Sequence, residues 1–187
     1  MAIKIFIDQG HNPQNPNAGA EGNGFREQDL VYFIGVELAA LLDSDPNFEA
    51  RLSRNYPDEI LGTSIATSLS ARVRAANEWQ ADYFISIHAN ASDIVEASGS
   101  EAFAYSSLSE GFVFAEYILR GLTDATGLSY RGVFARPTLY VLRATDMPAV
   151  LIETAFITNP SDAALMNENP RLFAEGMYRG ILDYFGL

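Results

Sequence analysis

Apolar positions along the chain fall into two patterns. Short apolar runs are closed by turn residues, and between them lie longer stretches in which apolar residues return every three or four positions. Ile3 to Ile7 (IKIFI) is a run of the first kind and predicts a strand, followed by a loop rich in Asn, Pro and Gly over residues 9–24. From Glu27 to Leu42 the residues Leu30, Ile34, Leu38 and Leu41 recur at helical spacing. A short strand is expected over Phe48 to Ser53, irregular chain over Tyr56 to Gly62, and a helix over Ser68 to Trp79 with Leu69, Val73 and Ala76 on one face. Tyr83 to Ile87 (YFISI) is almost continuously apolar, as a central strand buried on both faces should be. Glu101 to Tyr105 predicts another strand and Glu110 to Gly121 a helix. Tyr140 to Arg143 and Ala149 to Ile152 predict two strands divided by the Met147-Pro148 turn, and Pro170 to Tyr184 closes the chain as an amphipathic helix. Strand alternating with helix implies an α/β three-layer sandwich, with a mostly parallel twisted sheet and helices on both faces. No repeat, linker or compositional break divides the 187 residues, so one domain over residues 1–187 is expected.

Composition narrows the partners. With 24 acidic against 12 basic residues the formal charge is −12, a surface that repels phosphate backbones and anionic lipid. Nucleic acid is therefore excluded as the expected partner. A hydrophobic content of 48% supplies a core and argues against disorder. There is no cysteine, which removes disulfides, cysteine-ligated zinc and thiol catalysis together. The apolar stretches are shorter than the ~20 residues that a membrane span needs, so no membrane insertion is expected. The opening MAIKIFIDQGH reads as a strand entering a turn, with no signal peptide visible. A monomer is expected.

The chain has only two histidines, and both follow a predicted strand: His11 a few residues after Ile7, His88 directly after Ile87. In open α/β sheets, ligand sites lie beyond the carboxyl ends of strands. Glu153 ends the run AVLIE in the same way. Catalytic zinc takes three ligands from His and Asp or Glu and leaves a position for water, so two histidines require a carboxylate. Asp8, Glu21, Glu27, Asp29, Asp93, Glu101 and Glu153 are all candidates, and spacing does not choose among them. Glu27 opens a predicted helix, where a carboxylate is also favoured simply by the helix dipole. Glu153 follows an apolar strand, where an unpaired carboxylate is costly, so it is either a ligand or a general base.

Four ordered segments carry a family resemblance: IFIDQGHN, GFREQDL, SLSARVRAANEWQADYFISIHANA and RGVFARPTLYVLRATDMPAVLIETAFITNPSDAALM. Together they resemble the zinc-dependent N-acetylmuramoyl-L-alanine amidases of the amidase_3 family, which hydrolyse bacterial cell-wall peptidoglycan. The resemblance runs from near Ile3 to the last helix. It implies Zn²⁺ held by His11, Glu27 and His88, with Glu153 as the catalytic carboxylate. It also implies peptidoglycan as partner, cleavage between N-acetylmuramic acid and L-alanine of the stem peptide, and an extracellular or cell-wall location. Gln9 and Asn12 replace the small residues usual around the first histidine, and Thr154 and Ala155 replace an aliphatic residue and Gly; these bear on the shape of the cleft. Arg143 is expected at the cleft edge against a stem-peptide carboxylate, Asn90 to bind substrate or to orient a histidine, and Asp8 either to orient a histidine or simply to form the turn. The rival readings are a zinc exopeptidase acting on free peptides and a catalytically silent wall-binding module.

Overall fold

The computed structural model describes residues 2–187. Strand β1 (Ile3–Gln9) leads through a loop to a small ribbon, β2 (Glu21–Gly22) and β3 (Phe25–Arg26). Then come α1 (Glu27–Asp43), β4 (Phe48–Leu52), α2 (Ile65–Trp79), β5 (Tyr83–Asn90) and β6 (Ser100–Ala104). The chain continues through α3 (Glu110–Thr126), β7 (Tyr130–Ala135), α4 (Tyr140–Ala144), β8 (Ala149–Phe156), α5 (Pro160–Glu168) and α6 (Pro170–Phe185). Six strands form one sheet in the order β4-β1-β5-β8-β6-β7. The first four are mutually parallel, β6 runs antiparallel to β8, and β7 runs parallel to β6. The carboxyl ends of β1, β5 and β8 therefore share a sheet edge with the amino ends of β6 and β7.

Strand side chains alternate between two cores, as the two-residue period of a pleated strand requires. Ile5, Ile7, Ile85, Ile87, Val150 and Ile152 face the larger layer of α1, α3 and α6. Phe6, Phe84, Ala149 and Leu151 face the smaller layer of α2 and α4, where Val73, Ala76, Trp79, Val141 and Leu142 meet them. Each large side chain so buried stabilises the fold by roughly 1.5–3 kcal/mol. The three-layer α/β sandwich expected from the sequence is what forms.

Several elements differ from expectation. Tyr140–Arg143 is the start of the short helix α4, not a strand. An apolar run of four residues has no period that separates the two, and here the sheet position beside β8 is already taken by β6, so the segment packs across the face instead. Strand β7 leaves no mark in the apolar pattern because its residues are mostly exposed on a sheet edge. Helix α5 also went unassigned, although its start is legible: Asn159 accepts from the Ser161 and Asp162 amides, and Pro160 takes the first helical position. α2 begins three residues early, at Ile65, because Ser64 and Thr67 form a reciprocal cap. No helix among the described residues is long and apolar enough to cross a membrane.

Candidate metal centre and catalytic carboxylate

The site continues the smaller core's row of side chains to the sheet edge. On β5 the row reads Phe84, Ser86, His88; on β8 it reads Ala149, Leu151, Glu153. His88 and Glu153 are register partners, and Glu153 is in turn paired with Glu101 at the start of β6. Apolar residues at one end of each strand anchor the row, and the polar ends converge. Beyond His88 the β5–β8 register shifts by one residue, a bulge of the kind that re-aims side chains at sites. Thr154 sits in that bulge, and its hydroxyl donates to the His88 carbonyl at 2.9 Å.

Glu27 arrives from the first turn of α1, and the loop before it folds back over His11. Glu27 is 4% exposed. Oε1 lies 3.1 Å from His11 Nε2 and 2.9 Å from His88 Nδ1, and accepts from the Ala89 amide at 3.0 Å. Oε2 accepts from the Ala20 amide at 2.9 Å. Burial works against ionisation of Glu27, but the bonds from His11 and His88 prevail and hold its carboxyl well below the usual carboxylate range. The two imidazoles stand edge to face, 4.8 Å apart at 77°. Gly10 permits this approach, since a Cβ there would lie 2.5 Å from the His88 ring. His11 itself is in the left-handed region at φ 65°, which for a non-glycine residue costs about 1–2 kcal/mol.

One ligand atom from each of His11, Glu27 and His88 falls within 4.8 Å of the others. His11 Nδ1 is buried without a hydrogen-bond partner among the described residues, a state that an additional ligand would relieve. Two imidazoles and one carboxylate are also the donor set of a catalytic zinc site with a position left for water. The residues present thus fit a zinc ion.

Glu153 is not part of that triad. Its Oε2 is buried and unpartnered among the described residues. Burial first, then the negative charges of Glu27 and Glu101, push its carboxyl up to about 8. Glu101 is held by the Asn90 amide at 2.7 Å and by Arg131 Nε at 3.2 Å, so its charge stays next to Glu153. Removing it in Glu101→Gln should move the acid limb of the kcat/KM–pH profile to lower pH, because Glu153 then gives up its proton more readily. An unmoved limb would exclude Glu101 from tuning Glu153. Beside His11 and His88, a small apolar cavity of about 130 Å³ is walled by Leu69, Leu139, Tyr140, Val141 and Leu151.

The profile of the family described as N-acetylmuramoyl-L-alanine amidase (Amidase_3) matches residues 5–183. The chain belongs to this family. Among curated amidases it is 35% identical to N-acetylmuramoyl-L-alanine amidase LytC of Bacillus subtilis, over 97% of this chain and 35% of that protein. It is 32% identical to the sporulation-specific N-acetylmuramoyl-L-alanine amidase of the same species, over 99% of this chain and 69% of that protein. The chain thus spans about a third of the length of the first relative and about two thirds of the second. Among solved structures it resembles the N-acetylmuramoyl-L-alanine amidase from Clostridium difficile at TM-score 0.87 and 29% identity, over 99% of this chain and 97% of that one. The catalytic domain of CwlV from Bacillus (Paenibacillus) polymyxa gives TM-score 0.85 and 29% identity, over 98% of each chain.

Asn90 does not orient a histidine; its amide donates to Glu101. Arg143 is exposed near the end of α4, over the ring of Tyr140 that walls the cavity beside His11, and lines a neighbouring depression with Met147 and Ala149. Ala149 begins β8, about 13 Å along the strand from Glu153 at the usual rise per residue. Asp8 is no turn-former. It lies in the same core row as Phe6, 1% exposed, paired with Arg72 at 2.5 Å and accepting from the Ser86 hydroxyl at 2.8 Å. Burial disfavours its charge, but the Arg72 guanidinium holds it below the ordinary carboxylate range. Gln9 and Asn12 are fully buried and pin neighbouring loops: Gln9 pairs with the Arg54 backbone, Asn12 with that of Leu61. Arg72 was not among the expected site residues. Its signal was present, as a charge set on the apolar stripe of Leu69, Val73 and Ala76.

Proposed function

We propose that the protein is a zinc-dependent peptidoglycan hydrolase that cleaves the amide bond between N-acetylmuramic acid and the L-alanine of the stem peptide. The observation that carries this reading is the pairing of a His11–Glu27–His88 cluster with a buried, unpartnered carboxylate oxygen of Glu153, in register with His88 on the adjacent strand. His11, Glu27 and His88 would hold the zinc ion, which when bound supplies Lewis-acid polarisation of the scissile carbonyl and acidifies the attacking water. Glu153 takes a proton from that water and returns it to the departing L-alanine amine. A raised proton affinity suits this shuttle, because the same group must be a base in the first half and an acid in the second. Glu101 sustains that affinity, while Thr154 and the Ala89 amide hold His88 and Glu27 in place. The amidase names of the relatives support the bond assignment, and the cell wall as place of action follows from it.

Digestion of purified peptidoglycan, with and without a chelator, tests the reading by mass spectrometry of the new termini. Chelator-sensitive release of whole stem peptides with a free L-alanine amine is the expected result. Stepwise release of residues from free peptides, with walls left intact, would instead identify an exopeptidase, and no turnover at all a binding module.

A further inference from the structure

The loop that carries His11 leaves the sheet after Gly10, whose amide still bonds the Ile87 carbonyl at 3.0 Å. Beyond that point no strand neighbour holds the backbone, yet His11 must keep a left-handed conformation to aim its ring at Glu27 and His88. One side chain from the opposite layer supplies the restraint. Arg72, on α2 and 1% exposed, directs Nη1 to the Gln9 carbonyl at 2.6 Å and Nη2 to the His11 carbonyl. Nη2 also reaches the Asn12 amide oxygen at 3.3 Å. The guanidinium therefore grips the chain on both sides of Gly10. It is itself fixed by Asp8, whose carboxylate is anchored in β1 and bonded to Ser86 of β5.

We propose that Arg72 is a positioning residue for His11, setting the affinity and the coordination geometry of the metal centre through the His11 backbone. The proposal rests on the zinc site proposed above. Only a planar two-armed cation does this: a lysine ammonium can keep the Asp8 pair but is a point donor that cannot span both carbonyls. Release of His11 lets its backbone leave the left-handed region and swings one imidazole out of the triad. Outer partners that orient metal ligands are typically worth about 10–100-fold in metal affinity, and Arg72 falls in that class.

The test compares the wild-type chain with Arg72→Lys, which retains a positive charge for Asp8, and with the double variant Asp8→Asn/Arg72→Met, which leaves no buried charge unpaired. Zinc dissociation constants are measured by chelator competition, and the absorption spectrum of the cobalt-loaded protein reports the ligand geometry. The expected result is a dissociation constant weakened about 10-fold or more in both variants, with an altered cobalt spectrum and near-native circular dichroism in Arg72→Lys. If Arg72→Lys binds zinc within about threefold of wild type with an unchanged cobalt spectrum, Arg72 is structural only and the proposal is overturned. Should Arg72→Lys prove unfolded, the double variant decides by the same two readouts. Failure of the wild-type chain to bind zinc would instead overturn the metal-site reading, which separates the two outcomes.

Discussion

Glu153→Gln is expected to abolish turnover while making the metal-free protein more stable at alkaline pH. The loss of the proton shuttle should lower kcat by about 10²–10⁴-fold, with zinc still bound, because Glu153 stands outside the ligand triad. The stability effect follows from the raised proton affinity. The unfolded chain releases this proton near the ordinary 4.5, whereas the folded protein holds it up to about 8. Between those values the native state binds more protons than the unfolded state, so native stability falls as pH rises through the window. Glutamine keeps the shape and carries no charge, so it escapes that loss. At pH 9 the gain should be roughly 5 kcal/mol, a rise of roughly 10–20 °C in Tm, closing to little near pH 4.5. Calorimetry of both metal-free proteins across this range checks it. Equal melting at pH 9 would show that Glu153 is already solvated or paired, and normal turnover would remove it from the chemistry.

His88→Ala is expected to lose the metal altogether. The imidazole is one of only two in the chain, and its removal takes away a donor that no neighbour can replace, since the remaining carboxylates nearby, Glu101 and Glu153, lie on the other strands of the row. Zinc content should fall from about one ion per chain to near none after dialysis, and activity with it. The fold should persist, because Glu27 keeps its bonds to the Ala89 and Ala20 amides and to His11. Elemental analysis beside circular dichroism decides the matter: stoichiometric zinc in a folded His88→Ala would take His88 out of the ligand set.

Much of this arrangement was legible along the chain. The runs IKIFI, YFISI and AVLIE are expected as strands and form β1, β5 and β8, and each is followed by or ends in a residue of the site. Two histidines and Glu153 at strand ends therefore converge on one sheet edge by topology alone. The strand period places Ser86 and His88 on the face of Phe84, and Glu153 on the face of Leu151, before any contact is known. What the residues left undecided was Glu27, one acid among seven candidates, because its place depends on how residues 9–24 fold back. That path is set by partners far away in sequence: Asn12 by Leu61, Gly22 against Ile157, and the His11 carbonyl by Arg72. Helix or strand at Tyr140–Arg143 was likewise beyond local pattern, since the outcome depended on which strand occupied the place beside β8.

The sequence by itself determined the α/β layering, the face on which the site lies and the kinds of donor available to it, because those follow from side-chain period and residue chemistry. Residue chemistry left open which carboxylate joins the histidines; the family resemblance implied Glu27, and only the tertiary structure brings Glu27 between the two rings and leaves Glu153 outside the cluster. Those two roles differ by environment rather than identity: Glu27 is enclosed by donors, and Glu153 is buried beside other carboxylates.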